Sequence, residues 1–567
     1  MVPFPCFCAM ANCHEFSGRR VFRMQRTLAS SAIALIVAAG PALAELTPAQ
    51  VWENLSGYYT SMGYEVTVGS QDETDGNLSL TDVVFTSEID QPDAATSVSA
   101  TVPKITLEQT DDAKVRTVFD GEMTVESSTD VPDQEPMSFR LVMTAPENEM
   151  ISSGTENDML HEFDFPTLES KLYFGSATPD ADGGEAPMTL TLTESTGQYR
   201  TVHAENQEIT YEMVSKGLDV ALNVTEPPAE DGTGGNGKVT GQAHVDGVTF
   251  TGTTSIPGDI ENLAERLDLA LNAGLVAQGK AELGKMSGDM TFEGMDENDQ
   301  PQSGDAKFNA ESSDLTFAMS KEGLTYGGNS GATEVEANFA QLPFPITYSI
   351  DKASGEATFP VSKGEDAQPF ALKYELAGVK LADAIWDQFD PGKELPRDPA
   401  NLKLDLTGEA VVKNDLFDPA FAQKLEEQAP DPATDDPATD DPAAEGEAPD
   451  ATAETSPAPT VPFEPRSLKI NEVVLQAVGA DANLTGDLTF ADLEQPPVGV
   501  IEGDFKGINA LLDKLVAMGI VPQDQLMGAR MMLAMFAKPA EGDPDHLQTK
   551  IEFKEGGSIF ANGQQVK

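Results

Sequence analysis

The stretch MTLTLT, residues 188–193, decides the fold. Met188, Leu190 and Leu192 alternate with Thr189, Thr191 and Thr193, a period of two that buries one side of an extended chain and wets the other. The same alternation recurs at Ile346, Tyr348 and Ile350, and at Leu402, Leu404 and Leu406. Strands with one apolar and one polar side belong to antiparallel sheets. Turn signals such as Asp246-Gly247, Ser354-Gly355 and Gly556-Gly557 fall between alternating runs,. The expected fold is mainly β: an elongated antiparallel sheet or meander with a few amphipathic helices and a C-terminal helical hairpin.

A few helices interrupt the alternation. Thr47-Pro48-Ala49-Gln50 reads as a capping box with proline at the first helical position, opening a helix that carries Val51, Leu55, Tyr58 and Met62 on one face and stops at Gly63,. Asp259 is the expected cap of a second, with Ile260, Leu263, Leu267 and Leu271. A short one holds Leu381, Ile385, Trp386 and Phe389. The hairpin runs from Ile508 to Met518 and from Gln523 to Ala537, hinged at Gly519 and Pro522. Two segments echo each other: ITYEMVSKGL (209–218) and LTFAMSKEGL (315–324) share strand, Met, Ser-Lys and Gly-Leu in that order.

The beginning of the chain reads as an address. Arg19, Arg20, Arg23 and Arg26 precede an apolar run from Leu28 to Ala39, and Ala42-Leu43-Ala44 forms a small-residue cleavage site. Residues 1–44 are therefore expected to be a secretory signal peptide, with Met24 an alternative start that would make 1–23 spurious. The apolar run is too short for an ordinary spanning helix, and no later segment approaches the required length. Export to the periplasm is the first expectation and release to the outside the second. Cys6, Cys8 and Cys13 all lie in this leader, so the remainder has no cysteine for a disulfide or a zinc site,. Removing it takes away four arginines and one glutamate, moving the formal charge from −60 to −63. Such a surface repels nucleic acid and anionic lipid headgroups.

The remaining chain is too long for one ordinary core. A main β-rich body is expected over 45–426. Residues 427–465, containing DPATDDPATDDPAAEGEAPD, are acidic, rich in proline and alanine and expected to be disordered,. A β and hairpin piece follows over 466–567, either separate or part of the same sheet.

Chemical motifs are few. GTGGNGKV (232–239) imitates a phosphate-binding loop, but Val239 stands where the hydroxyl residue should be and strand-like sequence follows instead of a helix,. His161, His203, His244 and His546 show no metal-ligand spacing, and each is expected on a strand surface. PDADGGE (179–185) lacks the third aspartate of a calcium loop, where Gly184 stands,. Neither a nucleophile elbow nor any cofactor motif is present, so no catalytic, cofactor-binding or metal residue is assigned. The distinctive surface is the hairpin: Met527, Met531, Met532, Leu533, Met535 and Phe536 form an apolar face. Its first reading is packing on the sheet, its second a binding face for lipid or another protein.

Two stretches carry a resemblance. WDQFDPGKELPRDPANLKLDLTGEA (386–410) and the ending LLDKLVAMGIVPQDQLMGARMMLAMFAKP with GGSIFANGQQ resemble a family of exported alphaproteobacterial proteins catalogued only as domain of unknown function 2125. The opening ALAELTPAQVWENLSGYYTSMGYEV is similar to the start of those chains after their signal peptide. This resemblance implies export and no assigned activity, cofactor or catalytic residue. In pattern alone the chain is similar to the long β-rich envelope proteins of the AsmA type, associated with lipid homeostasis. The expected function is a non-enzymatic exported protein that binds an apolar ligand or lipid, or supports envelope structure with an envelope protein as partner. The alternatives are a secreted adhesive or matrix protein with loose calcium binding and, third, a hydrolase with dispersed residues. Oligomeric state is not legible.

Overall fold

A computed structural model describes residues 46–91, 94–131, 136–174, 186–225, 237–258, 263, 266–295, 300–421, 462–491 and 495–567. The leader, the acidic 179–185 stretch, residues 232–236 of the glycine-rich stretch and most of the 427–465 segment lie outside the described residues.

One antiparallel sheet holds all thirty described strands. Its many short strands are pieces of fewer long ones. Lys238–Val245 and Val248–Pro257 form one path, and Val276–Leu283 with Met286–Met295 form the next. Their pairing runs in one register across both interruptions, with Val248 opposite Leu283 and Val245 opposite Met286. Each long path pairs with the one before and the one after it. The architecture is thus a sequential meander, the lowest-entropy way to order a long antiparallel sheet. Ala400–Val412 pairs with Phe463–Ala477, so the chain rejoins the same sheet after the acidic segment.

The interruptions line up into a crease across the sheet. Lys216, Asp246-Gly247, Gly284-Lys285, Glu311-Ser312 and Gly331-Ala332 sit in the middle of successive paths. They remain hydrogen-bonded to one another: Asp246 N–H donates to Lys285 O (2.8 Å), Gly284 N–H to Gly247 O (2.9 Å) and Gly331 N–H to Ser312 O (3.0 Å). Alternation changes phase there. Inward residues are Ala243 and Val245 before Asp246-Gly247, and Val248 and Phe250 after it. The extra residue lies on the solvent side in each path, so that side is longer and the sheet bends toward its apolar side. Towards the amino end Pro103 and Pro166 occupy the same line, where proline's missing donor is tolerated, and Glu194 takes a left-handed φ of 46°,.

Several expectations are corrected here. Asp246-Gly247 belongs to the crease and joins no hairpin, and Ser354-Gly355 lies inside the strand Lys352–Phe359. The two echo segments are not equivalent. Met213 and Met319 both point inward, but Lys216-Gly217 crosses the crease whereas Lys321-Glu322 makes a hairpin turn. Gly556-Gly557 does form a turn, both glycines being left-handed.

Helix α1 (Pro48–Ser61) has the expected capping box, Gln50 N–H donating to Thr47 Oγ1 at 3.3 Å, and buries Val51 and Leu55 on the sheet. Helix α2 is short, Leu267–Asn272, and its cap Arg266 makes no side-chain cap bond. The expected cap Asp259 lies outside the described residues. Helix α3 spans Asp383–Phe389, and the hairpin consists of α4 (Ile508–Ala517) and α5 (Gln523–Phe536).

Candidate functional site: an apolar groove along the crease

Burial locates the bottom of the bend. Along Gly217–Thr225, Leu218 next to the crease is 3% exposed, Val220 and Leu222 are half-buried, and Val224 at the far end is 38% exposed. Val245, Val248 and Leu283, which flank the crease on neighbouring paths, are all buried. The inside of the fold is therefore a trough whose floor is the crease and whose walls are the two halves of the sheet.

The trough is filled at one end and open at the other. Near the amino end Leu80, Val83, Leu107, Met150 and Met159 are sealed beneath α1. Beyond about the strand Ser313–Ser320 the same side of the sheet is only half covered. Directly opposed residues of an antiparallel pair share a face. Register thus links Ala357 to Leu372, Leu372 to Leu406, Leu406 to Ile470 and Leu404 to Val473 as one continuous apolar surface. On it Leu372 is 37%, Tyr374 41% and Leu475 50% exposed. The opposite side carries the charges, in exposed ion pairs such as Lys373–Glu356 (2.7 Å) and Lys352–Glu375 (2.6 Å). These add little stability and keep that side wet.

Glycines shape the walls. A Cβ on Gly304 would lie 2.5 Å from the Phe292 ring, on Gly288 2.5 Å from Phe308, and on Gly408 2.4 Å from Phe370. Each ring's edge occupies the space over the glycine of the neighbouring strand. The walls are in this way aromatic and closely packed.

The histidines fall into two environments. His161 is fully buried, correcting the expectation of a surface position. It stacks on Tyr199 at 4.3 Å, meets Ser152 Oγ through Nδ1 at 2.7 Å and Asn54 Oδ1 through Nε2 at 3.3 Å. Burial pushes its pKa down to about 3, so the ring is neutral,. A serine beside a histidine resembles a nucleophile pair. Both groups are closed off beneath α1, however, and a substrate has no path to them. Their arrangement satisfies polar atoms inside an apolar core. The contact joins α1 to residues about a hundred positions later, which no local spacing reveals.

His203, His244 and His546 are on strand surfaces. His244 lies between Asp219 (2.7 Å) and Asp246 (3.2 Å), and the hydrogen bond to Asp219 raises its pKa. It borders a shallow depression of about 450 Å³ on the charged side of the sheet, shared with Gln242, Asp289 and Lys307. Among the described residues no cluster of His, Cys, Asp and Glu has the arrangement of a metal site.

The methionine face of the hairpin is open. Neither α4 nor α5 buries a residue. Met527 is 78% and Met531 73% exposed, with Met532, Met535 and Phe536 also exposed and Leu533 half-buried. Packing on the sheet, the first reading of this face, is therefore not what the structure shows. The chain matches no family model, no curated protein and no solved structure.

Proposed function

We propose that this is an exported, non-enzymatic protein that holds an elongated apolar molecule, such as a lipid acyl chain, in the open part of the creased sheet. The observation that supports this most is the register-continuous apolar surface that runs on uncovered after the sealed end, with Leu372, Tyr374 and Leu475 each more than a third exposed. Soluble proteins seldom leave so long an apolar surface open unless it takes a ligand or partner. A trough lined by rings and branched aliphatic side chains suits a flexible chain recognised by shape and apolarity. Export rests on the leader-like amino terminus,.

Equilibrium titration with a fluorescent fatty acid tests the reading. Wild-type protein should bind it saturably, and the combined Leu372→Ser, Tyr374→Ser and Leu404→Ser variant should bind at least about tenfold more weakly for the apolar area lost. Equal affinity of the two proteins would refute the site.

A further inference from the structure

We infer that the α4–α5 hairpin docks the protein on the surface of an electrically neutral lipid bilayer and thereby brings the open end of the trough to the membrane. This deepens the apolar-ligand reading and rests on it for its purpose.

Met527, Met531 and Met535 recur every fourth residue and form one stripe along α5, broadened by Met532 and Phe536. Leu526, Leu533 and Arg530 face the other way, towards α4, where Arg530 Nη2 donates to Asp513 Oδ1 at 2.6 Å. The stripe is thus an outward face that no part of the described chain covers. Ile520, 51% exposed in the turn between the helices, extends it to the tip. Unbranched, polarisable methionines conform to a fluid apolar medium and need no fixed pocket. Charge is sparse along the stripe: Asp524 in the first turn of α5 is the one ionised group on its line, while Arg530 and Asp513 are paired with each other on the side towards α4.

Charge selects the kind of surface. Between Ile508 and Phe536 the chain has Asp513, Lys514, Asp524 and Arg530, so the hairpin is formally neutral on a protein of charge −60. Anionic lipid would be repelled by the rest of the molecule, and the hairpin has no basic excess to offset that. A zwitterionic or neutral headgroup layer meets the stripe without this cost, and the apolar face enters it as interfacial helices do.

Position supplies the link to the trough. Thr549 Oγ1 donates to the carbonyl oxygen of Phe536, the last residue of α5, and Asn562 Nδ2 donates to the same oxygen at 2.9 Å. Thr549 is opposite Gly503, which is opposite Leu484, so it belongs to the apolar side of the sheet. The hairpin is therefore tied to the inner side of the trough's carboxyl-terminal end.

Vesicle flotation tests this with the protein purified from its own cells. Wild-type protein should float with phosphatidylcholine vesicles and less with vesicles containing phosphatidylglycerol. A Met527→Gln, Met531→Gln and Met535→Gln variant should lose at least about tenfold in bound fraction. Its thermal midpoint should stay nearly unchanged, since these side chains are half or more exposed. Wild-type protein that stays at the bottom of the gradient, or a variant that floats as well, would overturn the inference. Sedimentation showing a wild-type dimer and a monomeric variant, without flotation, would overturn it by assigning the stripe to a second copy. Mass spectra of the same samples keep the two readings apart: retained lipid without flotation defeats docking alone, and flotation without any retained lipid defeats carriage alone.

Discussion

Two regions of one surface obey different rules. Where α1 lies on the sheet, inward residues such as Leu80 and Leu107 are fully buried and the trough is an ordinary core. Further along the chain, at Leu372 and Tyr374, the strands keep the same crease and the same apolar side, but these residues face open space. The difference teaches that the crease is the scaffold, while a covering element decides whether it becomes a core or a groove. Stability should therefore reside at the amino end and ligand binding at the other.

The largest expected effect is in the sealed region. Leu107→Ala should cost about 2–5 kcal/mol, measured by urea unfolding, because the cavity is enclosed on all sides. A smaller loss, similar to that at an exposed site, would break the distinction between the two ends. Gly304→Val comes next, at about 1–3 kcal/mol, since its side chain meets both the Phe292 ring and the Asn338 carbonyl oxygen,. The same change should weaken fatty-acid binding by displacing the ring.

His161 sharpens the contrast by pH. Burial holds its folded pKa at about 3, below the ordinary 6.5, so the unfolded chain takes up the proton first. Stability from this group is complete above pH 6.5 and falls as pH drops towards 3, by roughly 1.4 kcal/mol per unit. His161→Gln should flatten that part of the profile in urea midpoints taken between pH 7 and 5. An unchanged slope would show that the ring is accessible. Leu372→Ala should change stability least, by less than about 1 kcal/mol, because part of its side chain is already in water,.

Much of this fold is legible in residue alternation. Met188, Leu190 and Leu192 do lie on a strand, and the meander follows from strands joined by short turns. The crease is not legible, since a phase change such as Val245 to Val248 looks like a turn when it contains Asp-Gly, and pairing alone distinguishes the two. The helical hairpin is visible in its apolar spacing and in Gly519. Whether its methionines are covered depends on distant strands, and the simplest reading of such a face, burial, fails here. His161 escaped for a similar reason, because its partner Asn54 is on a helix that folds back over it. The trough itself required knowing which apolar faces remain uncovered, a property of the assembled sheet.

Native mass spectrometry of the protein purified from its own cells, without detergent, tests the central claim most directly. The account predicts an apolar molecule bound to wild-type protein and lost from the Leu372→Ser, Tyr374→Ser and Leu404→Ser variant, with folding intact. A bare polypeptide mass in both, with nothing released by solvent extraction, would contradict it.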